Sequence, residues 1–272
     1  MDLKDKAALV TGASAGIGLA VARSLVASGC RVALVARTRQ NLDRAVAELG
    51  NQHAIAFAID VTDRAAVAAL PAQVAQQLGG LDILINNAGY NCRGAVQDRK
   101  AEELVQILET NLTAPVFLTR VALDQLRSGG VIVNVASIAG KIPVPHEAAY
   151  SASKFGLRAF SRALAEDLRP RGIRVSCVCP GPVDTEFFGD LSTVPDLVFS
   201  QPMSSAEEVA AVIMRCVHAD PAPLELDTPA VSGALAQAGY LFPTLSSLLR
   251  PSLEKKGARA KAEYIRRKGT RS

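Results

Sequence analysis

The sequence predicts an α/β fold: a single doubly wound domain, mainly parallel sheet with helices on both faces, followed by a C-terminal helical extension. Three observations predict it. Short apolar runs alternate with stretches of helical periodicity from Ala7 to Cys179, the pattern of successive βαβ units. Several of those runs are apolar on both faces, as strands covered on two sides must be. Three glycines, Gly12, Gly16 and Gly18, separate the first run from the first helical stretch. Composition agrees. Of 272 residues 49% are hydrophobic and 21% charged, and Trp is absent, so a large core of Ala, Val, Leu and Ile is available and disorder is not expected.

The elements follow in order. Ala7–Thr11 reads as the first strand, "GLAVARSLVASG" as the first helix and Arg31–Ala36 as the second strand. Ala54–Ile59 is the third strand. The helical stretch "DRAAVAALPAQVAQQLG" contains Pro71, which predicts a kink or a late restart because proline lacks an N–H and crowds the preceding turn. Leu81–Ile85, Val131–Ala136 and Ile173–Cys179 are the next three strands. Residues 182–204 lose periodicity but stay apolar, with Pro182, Pro195 and Pro202 among Phe187, Phe188, Leu191 and Phe199; such a segment reads as a substrate lid. "SSAEEVAAVIMRCVH" is a helix capped by Ser204 or Ser205, with Glu207 and Glu208 in its first turn. Leu224–Asp227 closes the sheet. The main domain is therefore 1–228, and 229–272 is an apolar helical segment, "ALAQAGYLFPTLSSLL", with a basic tail.

The net charge of +4 belongs to that tail: residues 251–272 hold eight Lys and Arg against two Glu, leaving the remainder at −2. The main domain is slightly acidic and carries no base-reading module, so nucleic acid is not an expected partner. Five cysteines without a C-x-x-C pair, Cys177 and Cys179 among them on one strand face, read as small buried hydrophobes in a reducing compartment. No signal peptide, transmembrane span or metal site is expected, which points to a cytoplasmic protein, with a membrane-peripheral position left open.

"ALVTGASAGIGLAVA" places its glycines between strand and helix, where a phosphate can approach free N–H groups and the positive end of the helix dipole. The arrangement is that of a Rossmann-type dinucleotide site. An acid at the end of the second strand would hold an adenosine ribose; here the chain reads Ala36 and then Arg37. A planar permanent cation in that place suits a 2′-phosphate, so NADP(H) is favoured over NAD(H).

Further motifs follow the later strands: "NNAG" from Asn86, Asn111 in "ETNLTAP", Ser137 in "NVASIAG", Tyr150 and Lys154 in "YSASK", and "CPGPVDT". Together they resemble the short-chain dehydrogenase/reductase family over about residues 5–190. The resemblance implies an oxidoreductase that moves hydride between a nicotinamide and a carbonyl or alcohol carbon. It implies that Tyr150 transfers the proton, Ser137 holds the substrate oxygen, Lys154 binds the nicotinamide ribose, and Asn111 holds a water linking Lys154 to solvent, or else only distorts its helix. Tyr150 and Lys154 lie one helical turn apart, and an ammonium there would lower the phenol's ordinary value near 10 by about one to three units. It further implies that Gly12, Ser14, Ala15, Gly16, Ile17 and Gly18 cradle the phosphates. Asp60 and Val61 would lie beside the adenine, and Asn87, Ala88 and Gly89 would line the nucleotide cleft, unless Asn87 only braces the sheet. Pro180, Gly181, Val183 and Thr185 would meet the nicotinamide end.

The apolar lid, with Ile138, Ile142, Pro143, Val144 and His146 as a second wall, suggests a hydrophobic small-molecule substrate. The first reading is an NADPH-dependent carbonyl reductase acting on a lipophilic ketone, such as a 3-oxoacyl or steroid-like compound. An alcohol dehydrogenase running oxidatively, and a nucleotide-binding regulatory protein without turnover, are the alternatives. The glycine-rich ending common in the family is absent, which weakens the case for its usual tetramer, although a homodimer or higher homo-oligomer is still expected. Tyr240, Leu241, Phe242, Leu245, Leu248 and Leu249 form an apolar surface whose cover is open: the chain's own core or lid, a second copy, or a membrane.

Overall fold

The computed structural model describes residues 2–269. Seven strands form one parallel sheet: β1 (Ala7–Thr11), β2 (Arg31–Ala36), β3 (Ala54–Ala58), β4 (Leu81–Asn86), β5 (Leu126–Val135), β6 (Arg174–Pro180) and β7 (Glu225–Thr228), in spatial order β3-β2-β1-β4-β5-β6-β7. The chain winds outward from β1 to β3 and returns to place β4 on the other side of β1. The carboxyl ends of β1 and β4 therefore flank the switch point where such sheets open a crevice.

Alternation along the strands feeds two cores. Ala8, Val10, Val32 and Leu34 face α1 (Gly16–Ala27), α2 (Arg39–Leu49) and α7 (Ala206–His218). Ala7, Leu9, Ala33 and Val35 face α3 (Arg64–Leu78), α5 (Ala114–Ala122) and α6 (Ala148–Leu168). All eight are fully buried, which is why the strands read as continuous apolar runs.

Two details differ from the expectations. The helix α3 does not restart at Pro71: it runs through that residue, capped at its start by Asp63. Val67, Leu70, Val74 and Leu78 bury one face of it in the core, and this packing outweighs the single lost N–H. β5 begins at Leu126, five residues before the predicted Val131, because Leu81 pairs with Leu126 before the register breaks and resumes at Ile83–Val131. Ser128 and Gly129 stand exposed in that break, Gly129 at φ +77. The helix distortion weighed for Asn111 is present: α4 (Ala101–Leu108) passes through a π-helical turn, Glu109–Thr113, into α5.

The segment 182–204 folds into three short 3-10 turns, at Glu186–Phe188, Leu191–Thr193 and Asp196–Ser200. Ser205, not Ser204, caps α7, and Glu208 completes the reciprocal capping box. The extension forms α8 (Ala230–Leu241) and α9 (Pro243–Gly269). α9 lies on the lid: a Cβ added at Gly257 would meet the Asp196 carbonyl oxygen at 1.9 Å. Tyr264 packs on Phe188 and Phe199. Lys261 Nζ donates to the Val194 carbonyl at 2.6 Å. α9 from Leu253 onward is thus seated on the lid, whereas Tyr240, Leu241, Phe242, Leu245, Leu248 and Leu249, the residues whose cover was open, remain exposed. Among the described residues no helix is long and apolar enough to cross a membrane.

Candidate active site

The carboxyl ends of β1 and β4–β6, the lid, α8 and α9 enclose one cavity of about 1330 Å³. One end is a glycine cradle. Gly12 and Gly16 take positive φ, +65 and +52, open only to glycine without strain. Gly18 lies beneath them, where an added Cβ would come within 2.2 Å of the Gly12 carbonyl oxygen. Asn87 Nδ2 donates to the carbonyls of Thr11 (3.0 Å) and Gly12 (3.3 Å), and the N–H groups of Asn87 and Ala88 both donate to Thr11 Oγ1. Asn87 thus braces the end of β1 and the glycine loop and also lines the cavity.

α1 starts at Gly16 behind Ala15, with no side-chain cap and no acid in its first turn. Its leading N–H groups are left for an anion, and the dipole favours one. This cradle fits a dinucleotide pyrophosphate. Gly12, Ala15, Gly16, Ile17, Asn87, Ala88 and Gly89 line the cavity at this end, whereas Ser14 and Gly18 do not. Arg37, beyond β2, also lines it; the side chain is exposed and forms no ion pair among the described residues. Arg39 is instead tied to Asp43 at 2.8 Å. Asp60 and Val61 lie past the end of β3, outside the cavity lining. The Asp60 carboxylate accepts from Thr62 N and Oγ1 at 2.9 and 2.8 Å, so it shapes the turn there.

Ser137, Tyr150 and Lys154 meet midway along the cavity with Pro180, Gly181, Val183 and Thr185. Ser137 follows β5; its Oγ accepts from Ala139 N at 3.1 Å and donates to the Pro180 carbonyl at 3.4 Å. Tyr150 and Lys154 sit in the first two turns of α6, both buried. Lys154 Nζ donates to the Val135 carbonyl at 3.0 Å and lies 5.7 Å from the centre of the Tyr150 ring. The electrostatics correct one expectation. Burial pushes the Tyr150 phenol above its ordinary value and the Glu147 carboxylate adds to this, outweighing the Ser137 hydrogen bond and the Arg93 charge. Burial also lowers Lys154 to about 8. Lys154 still carries its charge at pH 7, but that ammonium is bonded to the Val135 carbonyl and is not among the groups that shift Tyr150.

Asn111, fully buried in the π turn, reaches back to the loop after β4. Its Oδ1 accepts from Tyr90 N and its Nδ2 donates to Tyr90 O, both at 2.7 Å, and Nδ2 also donates to Ser153 Oγ at 3.2 Å. It does not line the cavity; it pins Tyr90 to α6, and the π turn is what aims it there.

Beyond Tyr150 the cavity is walled by Ile138, Ile142, Pro143, Val144, Phe187 and Phe188, with Tyr240 and Phe242 at its far side. His146 is exposed at φ +63 and is not a lining residue. Two charged residues escaped sequence reasoning. Arg93 and Glu147 form a buried pair at 2.8 Å in this wall. Arg93 also donates to the Phe188 carbonyl at 2.9 Å and stands over the Phe187 and Phe188 rings at 5.9 and 5.8 Å. The Phe187 ring lies 6.0 Å from that of Tyr150. Arg93 thus ties the lid to the start of α6. The two residues stand 54 positions apart, and only the fold pairs them.

A further, half-buried network holds the far edge. Lys141 bridges Glu225 and Asp227 at 2.6 Å each, and Arg158 pairs with Glu225 at 2.7 Å. Cys179 stands near these carboxylates, but their charge is already balanced by the two cations. Cys177 and Cys179, on one face of β6, are free thiols.

The profile of the family described as short chain dehydrogenase matches residues 6–195. A 3-oxoacyl-(acyl-carrier-protein) reductase of Homo sapiens is 39% identical over 189 residues, 69% of this chain and 79% of that protein. Nodulation protein G of Rhizobium sp. (strain N33) is 34% identical over 86% of this chain and 98% of its own length. A short chain dehydrogenase from Burkholderia cenocepacia J2315, solved in complex with NADP, superposes with a TM-score of 0.77 at 33% identity, covering 84% of this chain and 97% of that one.

Proposed function

The chain belongs to the short-chain dehydrogenase/reductase family, an oxidoreductase family that uses a nicotinamide cofactor, and on that premise we propose that it is an NADPH-dependent carbonyl reductase acting on a lipophilic ketone. One observation carries the reading: Ser137, Tyr150 and Lys154 meet where the glycine cradle opens into an apolar chamber within a single cavity. The name of the human relative supports a 3-oxoacyl compound as the ketone, and the aromatic and aliphatic wall supports an acyl or steroid-like body.

When bound, the nicotinamide supplies hydride to the carbonyl carbon. The chain's own groups do the rest. Ser137 Oγ donates to the ketone oxygen and orients it. Tyr150 gives its proton to the forming alkoxide. A phenol that burial keeps protonated is set to donate in the reduction. Lys154 holds the nicotinamide ribose and returns a proton toward Tyr150. Asn111 carries a water between Lys154 and solvent through the lone pair its Oδ1 keeps after accepting from Tyr90. Asp60 and Val61 bound the adenine side, and Arg37 takes the 2′-phosphate.

The test is NADPH consumption with ketones of rising apolar size, wild type beside Tyr150→Phe. Turnover that rises with apolar size and falls by at least about 10²-fold in the variant supports the assignment. Equal turnover in the variant removes Tyr150 as proton donor. Turnover only of alcohols with NADP+ assigns the oxidative direction, and silence with both panels favours a nucleotide-binding regulator.

A further inference from the structure

We propose that the outward face of α8 and α9 docks on an anionic lipid bilayer and sets the mouth of the cavity against it. The proposal rests on the lipophilic substrate assigned above and adds the place from which that substrate comes. Tyr240, Leu241, Phe242, Leu245, Leu248 and Leu249 are 52–73% exposed. Six large apolar side chains within ten residues form a patch, not scattered surface residues. Four of them, Tyr240, Phe242, Leu245 and Leu249, also line the cavity, so the patch is the cavity's rim.

The charge beside the patch selects its occupant. Leu248, Lys255, Arg259 and Arg266 are spaced by seven, four and seven residues along α9, which at 3.6 residues per turn puts them on one stripe. Gly257, buried on the lid, lies on the opposite side. The outward stripe is thus apolar first and cationic after. Lys255 and Arg259 are exposed and have no ion-pair partner among the described residues. The main domain is net negative while 251–272 is net positive, so an anionic surface turns the molecule with α9 toward it. Apolar side chains then enter the acyl boundary while the cations meet headgroup phosphates. Docked this way, a ketone dissolved in the bilayer reaches Tyr150 over the rim without crossing water.

The experiment is co-sedimentation of the full chain with vesicles of phosphatidylcholine alone and of phosphatidylcholine with phosphatidylserine. Binding is expected to the second kind, weakened at least about tenfold by Lys255→Glu/Arg259→Glu or by raised salt. Leu248→Asp is expected to weaken it by a similar factor. Neither variant alters the cavity lining, so both keep wild-type turnover of a small water-soluble ketone. Three outcomes overturn the proposal: no binding to either vesicle, binding that ignores all three substitutions, or a loss of assembled mass in Leu248→Asp by sedimentation velocity, which assigns the patch to a second copy. Vesicle binding needs no turnover. Ketone reduction without binding therefore sinks the docking alone, and binding without any ketone reduced sinks the catalytic reading alone.

Discussion

Arg37 and Lys154 are single residues with opposite consequences. Arg37 stands at the cavity edge without an ion-pair partner among the described residues, so its charge is available to a phosphate. Arg37→Ala is expected to weaken NADPH by about 1.5–3 kcal/mol, tenfold or more, and NADH hardly at all, measured by fluorescence titration. Equal losses would assign Arg37 to solvent. Lys154 carries a cost instead. Its pKa falls from 10.5 to about 8 on burial, so the unfolded chain binds the proton more tightly. That difference destabilises the fold fully below pH 8 and is relieved as pH rises toward 10.5. Lys154→Met is therefore expected to be inactive yet about 2 kcal/mol more stable at pH 7 in urea unfolding, with the gain shrinking above pH 8. Ser137, Tyr150 and Lys154 were legible in the sequence because their spacing is local or follows a strand end. The direction of the Tyr150 shift was not, because it is decided by burial and by Glu147, and neither charge nor spacing reports how deep a helix start lies.

At the scale of elements, apolar runs announced the strands, and the helix caps were written in Ser205 and Glu208. What could not be read were places where packing overrules local preference: the unbroken α3 at Pro71 and the early start of β5. Gly257 belongs to the same class. It looks like a helix-weakening residue in a basic tail, yet it is where α9 touches the lid backbone. Gly257→Leu puts a side chain where Asp196 O already stands. The expected result is a stability loss of about 1–3 kcal/mol and about tenfold lower kcat/KM for large apolar ketones, with NADPH affinity kept. Unchanged kcat/KM would show that α9 does not seat the lid.

Across the whole molecule, the nucleotide half was foreseen and the substrate half only in outline. Glycines, strand ends and a missing acid mark the first by type and position. The second is assembled from residues far apart in the chain: Phe187 and Phe188 of the lid, Arg93 from the loop after β4, Glu147 at the head of α6, and Tyr240 and Phe242 from the extension. No period or motif joins them; the doubly wound topology does, by bringing strand ends and later loops to one edge of the sheet. The seating of the lid under α9 also imposes an order in time. A chain emerging from the ribosome presents β1, the glycine loop and α1 first, then the Asn87 and Ala88 that brace them, and the helix that holds the lid only after the lid itself. Such a nascent chain has the parts to grip a nucleotide long before its substrate chamber has a closed wall, and proteolytic clipping after α8 would return a finished molecule to that juvenile condition.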